Sequence, residues 1–214
     1  MNRPFERIAE IGVVPVIAIE SVGHAVPLAD ALLEGGLPTA EITFRTEVAV
    51  DLLARLHDER PDLLIGAGTL LSPEQVRRAV DAGAAYGLAP GYDQAVVEAA
   101  QTAGLPFVPG VMTPSDISLA FAKGCRLMKF FPATPAGGPS MLQSISAPFA
   151  HLGLSFIPTG GVKPDTMADW LAMPEIAAVG GTWIATAQQM RDGDWLGIRK
   201  RASAAIARVK ELRG

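Results

Sequence analysis

The sequence is short of several residue types, and each shortage removes a class of function. Cys125 is its single cysteine, so an intramolecular disulfide and a cysteine-based zinc site are both excluded. Its three histidines, His24, His57 and His151, are scattered, which argues against a His-only metal site, and no metal or other cofactor is expected. No Lys/Arg-rich run occurs, and 18 basic against 22 acidic residues give a formal charge of -4, so no nucleic-acid footprint is expected. No apolar run reaches the length of a membrane span. Met1 to Glu10 carries Glu6 and Glu10 and lacks the apolar stretch of a signal peptide, so the expectation is a soluble, cytoplasmic protein without membrane partners.

What the chain does have is core-forming material. Hydrophobic residues make up 49% and charged residues 19% of 214, which suits one large domain over residues 1–214 and excludes a disordered chain. Short apolar runs alternate with longer amphipathic ones. The apolar runs are Val13–Ile19, Ala40–Phe44, Leu63–Thr69, Tyr86–Pro90, Phe107–Val111, Leu127–Phe131, Ser155–Thr159 and Ala177–Ile184. Most successive starts lie about 20 to 29 residues apart, the length of one strand, one helix and two loops.

The intervening segments carry helix signals. Ser72 stands as N-cap before Pro73, and Gly83 follows the predicted helix Pro73–Ala82. Asp93–Ala103 ends at Gly104 and Pro114–Lys123 at Gly124 in the same way. Gly23–Gly35, Pro164–Met173 and Trp195–Leu212 also read as helices, and Phe5–Ile11 as a short helix ahead of the first strand. Eight strands alternating with helices predict an α/β chain folded as a single (β/α)8 barrel with an extra N-terminal helix. A doubly wound open sheet is the alternative, but no G-x-G-x-x-G follows the first strand.

Side chains alternate along a strand, so parity assigns faces. Glu41, Thr43 and Arg45 share one face of their strand, and Ile42 and Phe44 the other, whose apolar character suits a helix layer. Glu41 and Arg45 are therefore expected to point into the barrel. In the sixth strand Leu127, Lys129 and Phe131 face one way and Met128 and Phe130 the other. Lys129 is the most informative residue, because lysine is rarely fully buried unless paired. An amine held neutral in a desolvated pocket can attack a ketone and form a Schiff base. A purely structural salt bridge between Lys129 and Glu41 fits the same positions.

The strand ends supply further candidates. Arg45 ends its strand, where barrel active sites lie, and its planar fork fits a substrate carboxylate; an ordinary surface arginine fits there too. Gly66-Ala67-Gly68-Thr69 ends the third strand and offers a hydroxyl at the rim, or is simply a strand-to-helix turn. Thr159-Gly160-Gly161 ends the seventh strand, and Gly180-Gly181-Thr182 lies in the eighth. Glycine pairs after these two strands commonly cradle phosphate through backbone N–H groups and a nearby helix N-terminus, although tight turns alone would look the same. Cys125, Trp170, Trp183 and Trp195 read as packing residues.

Together these motifs resemble bacterial 2-keto-3-deoxy-6-phosphogluconate (KDPG) aldolases, a family of class I, Schiff-base aldolases of the Entner–Doudoroff pathway. The likeness runs from Pro15-Val16-Ile17 to the C-terminal helix. It is carried by Glu41-Ile42-Thr43-Phe44-Arg45-Thr46-Glu47, Gly66-Ala67-Gly68-Thr69, Lys129-Phe130-Phe131-Pro132-Ala133, Pro158-Thr159-Gly160-Gly161-Val162 and Gly180-Gly181-Thr182-Trp183. The resemblance implies that Lys129 is the Schiff-base lysine and Glu41 the general acid/base. It implies that Arg45 and Thr69 hold a pyruvate carboxylate and that Pro90 and Phe131 wall its pocket. Thr159, Gly160, Gly161, Gly181 and Thr182 are implied for the phosphorylated half of a keto-acid substrate, and a metal-independent homotrimer for the assembly.

The sequence departs from the family at Phe44, where leucine is more usual, at Thr182, where serine is common, and in the loop Ala133–Gly138. Three alternatives share or border the implied reaction: cleavage of the phosphogalactonate epimer, cleavage of 4-hydroxy-2-oxoglutarate (KHG), and a phosphate-binding isomerase or synthase that leaves Lys129 structural. A catalytically silent trimeric barrel is a further one, since a fold alone does not fix function.

Overall fold

The structure, a computed structural model, describes Arg3 to Gly214. Met1 and Asn2, which belong to the expected domain and to the N-terminal stretch considered above, lie outside the described residues. It is an α/β fold on curled parallel sheet. The strands are β1 (Val13–Ile17), β2 (Thr39–Thr43), β3 (Leu64–Gly68), β4 (Tyr86–Leu88), β5 (Phe107–Val108), β6 (Gly110–Val111), β7 (Leu127–Phe130), β8 (Ser155–Pro158) and β9 (Val179–Gly181). One sheet runs β5-β4-β3-β2-β1-β9 and the other β6-β7-β8, with every pairing parallel.

The apolar run predicted as one fifth strand, Phe107–Val111, is therefore two. Pro109 has no N–H to give to the ladder, and the run breaks around it into β5 and β6. The last strand is shorter than the predicted Ala177–Ile184, because β9 stops at Gly181. Two isolated parallel bridges, Phe156 with Ile176 and Thr159 with Gly180, link β8 and its end to β9 and the residues just before it.

The helices are α1 (Arg3–Ile11), α2 (Ala25–Glu34), α3 (Ala49–Glu59), α4 (Pro73–Asp81), α5 (Gln94–Thr102), α6 (Pro114–Ala122), α7 (Gly138–Ser146), α8 (Met167–Leu171), α9 (Ala187–Arg191) and α10 (Trp195–Arg213). Local chemistry explains their starts. Ser72, Asp93 and Thr113 each accept a backbone N–H in the first turn of α4, α5 and α6, satisfying a donor the helix leaves unpaired. Gly83, Gly104 and Gly124 follow the same three helices at φ of 83°, 70° and 81°, a left-handed backbone that glycine takes without a Cβ penalty. The predicted helix Pro164–Met173 shrinks to α8, because a turn precedes it in which the Lys163 amide donates to Thr166 Oγ1 at 3.1 Å.

Burial sorts the strand residues into two apolar clusters. Val13, Ile17, Ile42, Ile65, Met128, Phe130 and Phe156 pack outward against the helices. Val14, Leu64, Tyr86, Leu88, Val108, Leu127, Ile157 and Ala178 pack together inside the curl of sheet, and Ile8 and Phe5 of α1 join them. The N-terminal helix thus closes the apolar end of the interior, and the polar interior residues lie beyond it toward the strand C-termini.

Candidate active site

The expected parity holds for the central pair. Glu41 and Lys129 are 1% and 4% exposed, and Lys129 Nζ donates to Glu41 Oε1 at 2.9 Å and to Oε2 at 3.2 Å. Two charges taken this far from water survive only as partners, so each residue explains the burial of the other. The residues with which they share the interior make the room. A Cβ on Gly68, paired with Thr43 across β2 and β3, would overlap the Glu41 carboxylate. Gly66, one inward position below, leaves space for the Tyr86 ring, and Gly180 for the Thr159 side chain. Interior glycines therefore alternate with long side chains that reach across the curl.

Tyr86 forms the floor beneath this layer. It is fully buried, its hydroxyl contacts Thr39 Oγ1 at 3.1 Å and donates to the Ala40 carbonyl at 3.3 Å, and burial pushes its pKa well above the usual tyrosine range. It is a closed structural group and offers no proton to chemistry above it.

The rim residues fall as follows. Arg45 was expected to end its strand and point inward, but β2 stops at Thr43 and Arg45 lies exposed in the turn that follows, where its Nε donates to Thr43 Oγ1 at 3.3 Å. Thr69 adopts φ 60°, the one non-glycine residue with positive φ among the described residues. A threonine held there costs about 1–3 kcal/mol, strain that concentrates at functional sites. The Lys129 ammonium lies 5.8 Å from the centroid of the Phe131 ring, and a Cβ on Gly160 would lie 3.2 Å from that ring, so Phe131 neighbours both the lysine and the glycine loop. The Pro90 backbone packs directly on Gly110, which brings the ends of β4 and β6 together.

The glycine loops divide by exposure. Thr159 is 4% exposed, and its hydroxyl turns inward to the Ile157 carbonyl at 3.4 Å. Gly160 and Gly161, at φ 96° and 80°, continue outward, and Gly161 and Thr182 are exposed. Among the described residues, the amides of Gly161 and Val162 donate to no protein acceptor. Gly181 has another reason to be glycine, since a Cβ there would overlap the Trp183 ring. The helices after both loops, α8 and α9, have five residues each, so loop amides rather than a helix terminus are the available donors.

Parity along the strands found Lys129 and Glu41, but sequence reasoning assigned nothing to Thr43 beyond its face. Nor did it single out Thr46, whose Oγ1 is buried without a hydrogen-bond partner on the turn after Arg45. Cys125 is 8% exposed and burial pushes its thiol up, as suits a filler rather than a nucleophile. A cavity of about 740 Å³, lined by Phe5, Phe107, Cys125 and Leu127 among others, opens at the strand N-termini. It contains none of the candidate groups, which gather at the opposite end.

Comparisons with known proteins identify the family. The family model described as KDPG and KHG aldolase matches residues 5–201. The KHG/KDPG aldolase of Escherichia coli strain K12 is 39% identical over 198 residues, 92% of each chain. The 2-dehydro-3-deoxy-phosphogluconate aldolase of Pseudomonas aeruginosa is 40% identical over 204 residues, 95% of this chain and 92% of that one. The crystal structure of the Legionella pneumophila KDPG aldolase, with pyruvate captured at low pH as a covalent carbinolamine intermediate, superposes with a TM-score of 0.90 at 37% identity, covering 95% of this chain and 98% of that one. The buried lysine–glutamate pair thus lies in a chain that belongs to the KDPG and KHG aldolase family.

Proposed function

We propose that this lyase cleaves 2-keto-3-deoxy-6-phosphogluconate, reversibly, to pyruvate and D-glyceraldehyde 3-phosphate through a Schiff base on Lys129. The observation that carries this is the 2.9 Å hydrogen bond from Lys129 Nζ to Glu41 inside the sheet. A proton passed along it to Glu41 leaves a free amine, which attacks the C2 ketone. Glu41 then returns protons as the carbinolamine loses water to the iminium. The iminium accepts the electron pair of the C3–C4 bond as the C4 hydroxyl gives up its proton to the Glu41 carboxylate, and the aldehyde departs. Protonation of the enamine at C3 and hydrolysis free pyruvate and restore the amine. Arg45 and Thr69 hold the carboxylate, Pro90 and Phe131 confine the three-carbon unit, and fixed placement of ketone against amine supplies much of the rate.

The phosphorylated half lies over Gly160, Gly161, Gly181 and Thr182, with Thr159 beneath. The free amides of Gly161 and Val162 support this placement. We also take the two sheets as one closed eight-stranded barrel in a single domain. The Thr159–Gly180 bridge on one side and the short break at Pro109 on the other support closure. The cytoplasm as location and the homotrimer as assembly follow from family resemblance.

The test is a substrate panel with borohydride trapping. Pyruvate and borohydride should inactivate the enzyme and modify Lys129 alone, and release of pyruvate from the phosphogluconate derivative should exceed that from 4-hydroxy-2-oxoglutarate and from the phosphogalactonate epimer. An unmodified Lys129 would overturn the mechanism, and a reversed substrate order would reassign the specificity.

The two interior glycines separate catalysis from stability. Gly68→Ala drives a methyl into the Glu41 carboxylate and should lower kcat by about tenfold or more. Gly66→Ala collides with the Tyr86 ring beneath and should cost about 1–3 kcal/mol of stability, read from thermal melts. Equal effects of both on kcat would contradict this division.

A further inference from the structure

We infer that Thr43 is a positioning residue for substrate: its hydroxyl sets the Arg45 guanidinium to receive the carboxylate of the three-carbon unit. The inference rests on the reading of Arg45 given above and adds the residue through which Arg45 is held.

Thr43 is the last residue of β2, on the inward face two positions above Glu41, and is 1% exposed. Its strand partner on β3 is Gly68, so no side chain from that strand crowds the hydroxyl. A threonine hydroxyl has one proton and two lone pairs. The proton goes to the Ile17 carbonyl on β1, at 3.1 Å. Only lone pairs remain, and Arg45 Nε donates to them at 3.3 Å.

Among the described residues this is the one hydrogen bond Arg45 makes, and no carboxylate pairs with it. The bond occupies the Nε position of the fork and leaves both terminal nitrogens without a protein acceptor. Those two nitrogens form the edge that takes a carboxylate by two parallel hydrogen bonds. An exposed arginine without an anchor spreads over many rotamers. One bond to a buried, fully committed hydroxyl selects those that keep the fork beside Thr43, the last inward residue of β2, two residues back along the chain.

Thr43→Val keeps the branched shape and removes the acceptor. It should raise the pyruvate concentration for half-maximal borohydride trapping, and the KM for cleavage, about tenfold, with kcat changed by no more than about twofold. Thr43→Ser keeps the hydroxyl and should restore both to within about threefold of the parent enzyme. In an Arg45→Ala background Thr43→Val should add no further loss, because the two residues act through one contact. Methyl pyruvate, which has no carboxylate charge, should respond to neither substitution.

Thr43→Val leaving pyruvate half-saturation unchanged, or costing as much in the Arg45→Ala background, overturns the inference while leaving the role of Arg45 standing. Arg45→Ala leaving pyruvate half-saturation unchanged overturns the reading of Arg45 itself. If the valine variant does not fold, the unmodified protein still decides: the Arg45 Nε–H signal in nitrogen-15 NMR, identified by its loss in Arg45→Lys, should exchange more slowly than a free arginine's. Exchange at the free rate overturns the inference.

Discussion

Lys129→Met should abolish carbon–carbon cleavage and leave no borohydride-stable adduct with pyruvate. The aldol bond breaks because electrons flow into an iminium, and no other amine lies inside the sheet among the described residues. The same substitution should weaken the fold, for a separate reason. Glu41, 1% exposed, loses the ammonium that both its oxygens contact. Removing one partner of a buried ion pair costs about 3–5 kcal/mol, which for a chain of this length lowers the melting temperature by about 6–20 °C. Adding Glu41→Leu to Lys129→Met removes the stranded carboxylate and should recover much of that loss without recovering activity. Retained turnover in Lys129→Met would exclude the Schiff-base route. An unchanged melting temperature would show that the pair is not shielded from water as the structure has it.

Glu41→Gln should be the second most damaging change and should fail differently. Glutamine matches glutamate in size and its oxygen still accepts from Lys129, so the side chain keeps its place below Gly68. What it cannot do is take up and return a proton at each stage of imine formation and hydrolysis. A positioned general acid/base contributes about 10²–10⁴-fold, so kcat should fall by that amount. Pyruvate should still be trapped on Lys129, more slowly and with half-saturation within a few-fold of the parent value. A loss below about fivefold would make the carboxylate a counter-ion to the lysine and nothing more. Complete loss of trapping would instead mean that imine formation itself needs Glu41.

Much of this site could be read from strand parity. Glu41 and Lys129 sit 88 positions apart, yet each lies on the face of its strand opposite to a run of large apolar residues, and that contrast is local. A charged residue in such a strand must turn inward and must find its opposite, which is why the pair could be expected before its distance was measured. Helix starts were legible for the same reason. Ser72, Asp93 and Thr113 satisfy donors three residues ahead, within reach of any sequence window.

Other features were out of reach because their causes are not local. The predicted run Phe107–Val111 divides at Pro109 only because neighbouring strands impose a ladder that proline cannot complete. Gly68 looked like part of a turn, and its need to be glycine comes from a carboxylate one strand away. Alternation and capping, set by residues near one another in the chain, determined the α/β class, the inward lysine and glutamate, and most helix ends. The tertiary structure alone decided that the two charges meet at 2.9 Å, that glycines clear the space around them, and that Thr43 bridges from Ile17 on β1 to Arg45. Each of those depends on which strand lies beside which, and packing, not sequence distance, settles that.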